Sequence, residues 1–108
     1  MTTLTQVAAQ SDYREAVLIT PITDFQHELD IVLLRDFGGF TRTPAMGGWR
    51  DPSGVDHTEN VCVYTIAMLD MPLCRARLRG IARYYRVKAK QQSVYVRWPN
   101  GRVEFIEA

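Results

Sequence analysis

Between Asn60 and Ala67, Val61, Val63 and Thr65 alternate with Cys62, Tyr64 and Ile66, so a strand here is largely apolar on both faces. An antiparallel strand with one wet face alternates apolar with polar residues, whereas one that is apolar on both sides belongs inside a sheet covered above and below. A chain of 108 residues has material for one core, and hence for one covering layer of helices. The second face needs another cover. Further copies of the chain are the simplest, and the N-terminal segment is the alternative.

The flanking sequence supplies the other elements. Ala16 to Thr20 is a short apolar run ended by Pro21 and reads as a buried strand. Thr23 and Gln26 fit a capping box, and Asp24 suits a helix start. Phe25, Leu29, Val32 and Leu33 then recur at helical spacing until Gly38-Gly39 stops the helix. Phe40 to Thr43 is a second strand. Pro44 to His57 holds three glycines, two prolines and two aspartates, which is turn chemistry. Within it Gly47 to Arg50 is a short strand and Asp51 to Gly54 a hairpin turn. Pro72 opens a second helix whose core stripe is Cys74, Leu78, Ile81 and Tyr85. Ser93 to Trp98 is the last main strand, and Val103 to Ile106 pairs back on it across Pro99-Asn100-Gly101. The order β-α-β-β-α-β predicts a ferredoxin-like α+β sandwich, with both helices on one face of an antiparallel sheet and a C-terminal hairpin extension. Residues 1–12 are expected to be a flexible tail, and 13–108 a single domain.

Composition narrows the class. Apolar residues make up 46% and charged residues 23%, which is globular rather than disordered. Cys62 and Cys74 are too few for a disulfide scaffold or a four-cysteine zinc site. With His27 and His57 they show no metal-ligand spacing, so no metal or cofactor is expected. No apolar run approaches the ~20 residues that span a bilayer, and Met1 to Asp12 lacks a signal-peptide core. A cytoplasmic protein is expected.

The chemistry-bearing stretch runs from Phe37-Gly38-Gly39-Phe40-Thr41 through Gly47-Gly48-Trp49-Arg50-Asp51 to Glu59. Its glycines permit close backbone approach to a ligand; the competing reading is a tight turn with a core tryptophan and solvated charges. Glu59 opens an otherwise apolar strand. A carboxylate there can take ribose hydroxyls or a cation, or can be a solvated strand end. His57, expected in a loop after Asp56, has no positioned partner for general-base work. His27 reads as an exposed helix residue and Cys62 as a small core residue.

The pattern Gly39-Phe40-Thr41, Gly48-Trp49-Arg50-Asp51, Gly54, Glu59, Tyr85 and Gln91-Gln92-Ser93-Val94 resembles a family of small uncharacterised bacterial proteins over about residues 37–96. A second resemblance is to the phage S-adenosylmethionine lyases, formerly called hydrolases. It rests on Gly48, Trp49, Arg50, Asp51, Glu59, Val61-Cys62-Val63 and Gln91-Gln92-Ser93-Val94. The lyases carry a tyrosine where this chain has Trp49, which removes any role for a phenolic hydroxyl. That resemblance implies that Glu59 and Trp49 hold the ligand near its sulfonium as the catalytic pair. It implies that Gln91, Gln92 and Ser93 meet the adenine, with Arg50 also ligand-binding, in a site between subunits of a homotrimer. The implied reaction yields methylthioadenosine and homoserine lactone.

Charge raises a different possibility. Met71 to Val103 holds nine basic residues and no acid, whereas Met1 to Asp70 holds ten acids and four bases. Such polarity suits nucleic acid, with Tyr84, Tyr95 and Trp98 as stacking candidates. Alternatively the arginines of the second helix pair with Glu28, Asp30 and Asp36 of the first. The leading expectation is a small oligomeric enzyme acting on an adenosyl ligand. The alternatives are a non-catalytic adenine-nucleotide sensor or sequestering protein, and a nucleic-acid-binding module built on the arginine-rich helix.

Overall fold

A computed structural model of the protein describes residues 13–107. The elements are β1 (Tyr13–Pro21), α1 (Gln26–Phe37), β2 (Thr41–Arg50), β3 (Asp56–Leu69), α2 (Pro72–Lys88), β4 (Val94–Arg97) and β5 (Val103–Ile106). The strands form one antiparallel sheet in the order β2-β3-β1-β4-β5. This is the order of a split βαβ pair extended by one strand. The doubly apolar β3 lies inside the sheet, between β2 and β1, as its pattern requires. The expected tail, residues 1–12, lies outside the described residues.

Both helices cover one face. Ala16 and Leu18 of β1, Tyr64 and Ile66 of β3 and Val96 of β4 are fully buried with Leu33 of α1 and Leu78 and Ala82 of α2. Helix α1 starts after Phe25, later than a Thr23 cap would place it, and Thr23 and Gln26 instead tie the turn that leads into it. Thr23 Oγ1 accepts the Phe25 N–H at 3.2 Å, and the Thr23 N–H donates to Gln26 Oε1 at 3.4 Å. It ends at Gly38, whose φ of 81° is left-handed and whose N–H donates to the Leu34 carbonyl. Helix α2 ends differently: the Lys90 N–H donates to the Val87 carbonyl and the Gln91 N–H to the Arg86 carbonyl. That is a Schellman cap with lysine, at φ 55°, where glycine is usual.

Four expectations are corrected. First, β2 is one continuous strand, not two pieces separated by a turn. It is an edge strand, where Pro44 and the Gly47-Gly48 pair are tolerated, and the turn shrinks to Asp51–Val55, closed by Asp51 N–H to Val55 O at 2.9 Å. Second, β3 begins at Asp56, so His57 is on a strand and not in a loop. Third, the helix arginines do not pair mainly with Glu28, Asp30 and Asp36. Arg75 pairs with Asp70 and Arg79 with Glu104, while Asp30 takes Arg42; only Arg77 reaches Asp36, at 3.7 Å. Loop and strand acids lie closer to those arginines than the neighbouring helix does. Trp98 is also no stacking surface: it is 4% exposed, and its Nε1–H donates to Glu104 beneath the Arg79 guanidinium.

Two features position the site. β1 pairs with β3 only over Val61–Leu69. Residues 46–50 and 56–60 therefore extend past the body as a two-stranded arm, on a molecule 50 Å long and 28 by 25 Å across. The sheet face opposite the helices carries Val17, Ile19, Val61, Val63, Tyr95 and Phe105, and no helix of the described residues covers it. Among the described residues no helix is long and apolar enough to cross a membrane.

Candidate functional site

The antiparallel register decides what the arm presents. Trp49 faces His57, Gly47 faces Glu59 and Ala45 faces Val61 across β2 and β3, and side chains two apart share a face. Trp49 and Glu59 therefore stand on the helix-free face with an unfilled position at Gly47 between Trp49 and Ala45. A Cβ at Gly47 would come within 3.3 Å of the Val61 side chain, so a side chain there would crowd the space beside Glu59.

From this notch a cleft of about 670 Å³ opens across the sheet. Three separate stretches line it. The arm gives Gly47, Gly48, Trp49 and Glu59, with Val61 at its base; the end of β1 gives Ile19, Thr20 and Pro21; and the α2–β4 loop gives Gln91, Gln92 and Ser93, with Tyr95 and Phe105 beside them. Trp49, Glu59, Gln91, Gln92 and Ser93, far apart in sequence, thus meet around one cavity. Arg50 does not join them. It lies on the alternate face of the arm and grips Asp56 with both ends of its guanidinium, which raises its own pKa and lowers that of Asp56. The Phe37–Thr41 segment also lies elsewhere, in a separate cavity of about 400 Å³ with Tyr13, Glu15, Thr65 and Ala67.

The groups facing the cleft differ in freedom. Among the described residues Glu59 and Gln92 have no hydrogen-bond or ion-pair partner, so a carboxylate and an amide are open to a ligand. Gln91 is held: its Nε2 donates to the Ala89 carbonyl at 3.0 Å and its own carbonyl accepts from Arg86 at 3.1 Å. The Schellman cap fixes where this loop leaves α2, and so where Gln92 is carried. Trp49 stacks on His57, with ring centroids 4.4 Å apart. Among the described residues no group of three or more His, Cys, Asp or Glu could hold a metal ion.

Sequence reasoning put His57 in a loop, singled out Gly47 without its place opposite Glu59, took Tyr95 for a nucleic-acid stacking residue and did not name Phe105. The hairpin turn Asp51-Pro52-Ser53-Gly54 was the signal for the first two: extending the strands outward from it puts Trp49 opposite His57 and Gly47 opposite Glu59. Tyr95 and Phe105 needed the pairing of β4 with β5, where they are partners.

Residues 8–105 match a family described as "Protein of unknown function (DUF3574)". The chain belongs to that family. No curated protein matches this DUF3574 chain in sequence. Among solved structures, a phage SAM lyase in complex with S-methyl-5'-thioadenosine is similar to it with a TM-score of 0.69. The match is 18% identical and covers 89% of this chain and 90% of that one. Both resemblances carried by the motifs are thus found, and at this identity the second is a likeness of fold.

Proposed function

We propose that this DUF3574 protein is an S-adenosylmethionine lyase-like enzyme, and that its substrate sits in the cleft between Trp49, Glu59 and Gln92. One observation carries the reading: three stretches of chain bring an aromatic face, an unpaired carboxylate and amide groups around a single cavity. Those are complements to a sulfonium, a ribose and an adenine edge. The fold likeness to a lyase holding methylthioadenosine supports it.

The reaction asks little of a protein. A carboxylate oxygen of the methionine arm attacks the γ-carbon of the same molecule. The new C–O bond closes a lactone as the C–S bond breaks, its electron pair passes to sulfur, and methylthioadenosine leaves as a neutral thioether. No proton moves and no protein nucleophile is needed. The site contributes by folding the arm into a near-attack shape and excluding water, effects worth several kcal/mol. Trp49 presents its π-face to the sulfonium, a contact of ~0.5–2 kcal/mol. Glu59 anchors the ribose hydroxyls or balances the positive charge until it is lost. Of the two glutamines, Gln92 reads the adenine edge through its amide, because a hydrogen bond to the Ala89 carbonyl already holds the Gln91 amide in place.

The reading includes a homotrimer. The cleft opens on a face with no helical cover, and a cavity open to solvent neither excludes water nor strengthens charge interactions. Neighbouring copies seated on Tyr95 and Phe105 would close it. The test is to incubate the purified protein with S-adenosylmethionine and resolve the products by chromatography. Methylthioadenosine with homoserine lactone is expected. Glu59→Gln should cut the rate at least 100-fold with the oligomer intact. A methylthioadenosine-dependent thermal shift without turnover would favour the sensor reading, and neither product nor shift would remove both.

A further inference from the structure

At the outer end of the arm the Trp49 indole and the His57 imidazole lie face to face, 4.4 Å between centroids and 18° from parallel. They are cross-strand partners, a position from which flat rings can stack. The imidazole is not a free rotor. Its Nε2 lies 2.8 Å from Asp51 Oδ2. Asp51 is fixed in turn, because its Oδ1 accepts the Ser53 N–H at 2.9 Å, the Ser53 hydroxyl at 2.6 Å and the Val55 N–H at 3.0 Å. A carboxylate locked into the turn holds the imidazole by its edge, and the imidazole holds the indole by its face. Trp49 is otherwise 53% exposed, on an arm that extends past the pairing of β1 with β3.

We propose that His57, anchored by Asp51, is a positioning residue that fixes the indole plane of Trp49 at the wall of the cleft before any ligand enters. The Asp51-Pro52-Ser53-Gly54 turn thereby sets the geometry of the site as well as reversing the chain. An aromatic wall ordered in advance loses less side-chain freedom on binding, worth about threefold to tenfold in affinity for one side chain. The identity of the ligand meeting the indole rests on the adenosyl reading; the ordering of the indole does not.

The test uses the whole chain. Trp98 is the only other tryptophan, so the fluorescence difference between wild type and Trp49→Phe isolates Trp49. Acrylamide quenching of that signal should rise at least twofold in His57→Ala, and by less in Asp51→Ala and in His57→Phe, each of which keeps a stacking ring but loses its hydrogen bond to the turn. The dissociation constant for methylthioadenosine should rise threefold to tenfold in His57→Ala and recover only in part in His57→Phe, which stacks without the anchor. Quenching of Trp49 that is the same in wild type and His57→Ala overturns the proposal, as does increased quenching with unchanged methylthioadenosine affinity. If wild type binds no methylthioadenosine while Trp49 quenching responds as expected, the adenosyl reading falls and the ordering of Trp49 stands.

Discussion

Lys90 holds a φ of 55°, a region that strains an L side chain by about 1–2 kcal/mol. Lys90→Gly relieves that strain and gives back part of it in chain entropy. The variant should gain about 0.5–1 kcal/mol, read as a higher urea midpoint, with the cleft loop in place because the cap bonds are backbone bonds. Tyr64 shows the opposite economy. Its hydroxyl donates to Asp30 at 2.6 Å and accepts from Gln26 at 2.7 Å. Tyr64→Phe takes one partner each from Asp30, which keeps Arg42, and from Gln26, which keeps Thr20, and should cost about 1–3 kcal/mol in chemical denaturation. Burial first, and the Asp30 carboxylate second, push the Tyr64 phenol well above its ordinary value of 10.0. Its contribution is therefore complete below pH 10.0 and lost as the pH climbs beyond, and the phenylalanine variant should lack that alkaline decline. At this scale the sequence showed Gln26 as a cap and Cys62 as core. It hid what Gln26 touches, since Thr20, Tyr64 and Tyr85 come from three other elements.

Among the elements, the β2–β3 hairpin was the least legible. Pro44 and two glycines look like a break, but on an edge strand they only mark the outer rim. The apolar pattern of β3 gave its inner half, whereas the polar outer half, Asp56 to Asn60, is strand by pairing alone. Gly47→Leu fills the notch opposite Glu59 and should abolish methylthioadenosine binding while moving the unfolding midpoint little, since the position is on the rim. The turn carries a pH signature. The Ser53 hydroxyl, then His57 and the Val55 N–H, hold the Asp51 carboxyl down at about 2 rather than 3.8. Its stabilisation is present above pH 3.8 and vanishes as the pH falls through about 2. Acid unfolding of Asp51→Asn should be flatter than wild type across that interval.

For the whole molecule, element order was enough for the sheet, because a split βαβ pair admits few antiparallel arrangements. The cleft was readable only through the resemblance, which named Trp49, Glu59 and Gln91 to Ser93; residue patterns alone could not give it, because its walls converge only when the end of β1, the arm and the α2–β4 loop reach the same end of the sheet. The proposed trimer predicts a sedimentation mass of three 12.4 kDa chains. Phe105→Glu, placing a charge on the bare face, should reduce it to one. A last consequence follows from the Gln26 amide. Its Nε2 donates to Thr20 and Tyr64, and its Oε1 accepts from Thr23 and Tyr85, so one planar group ties β1, β3 and α2 to the start of α1. No layer can peel away without leaving that group unsatisfied in the interior. The body of the protein should therefore melt in a single all-or-none step, with the arm, which has no such tie, free to fray first.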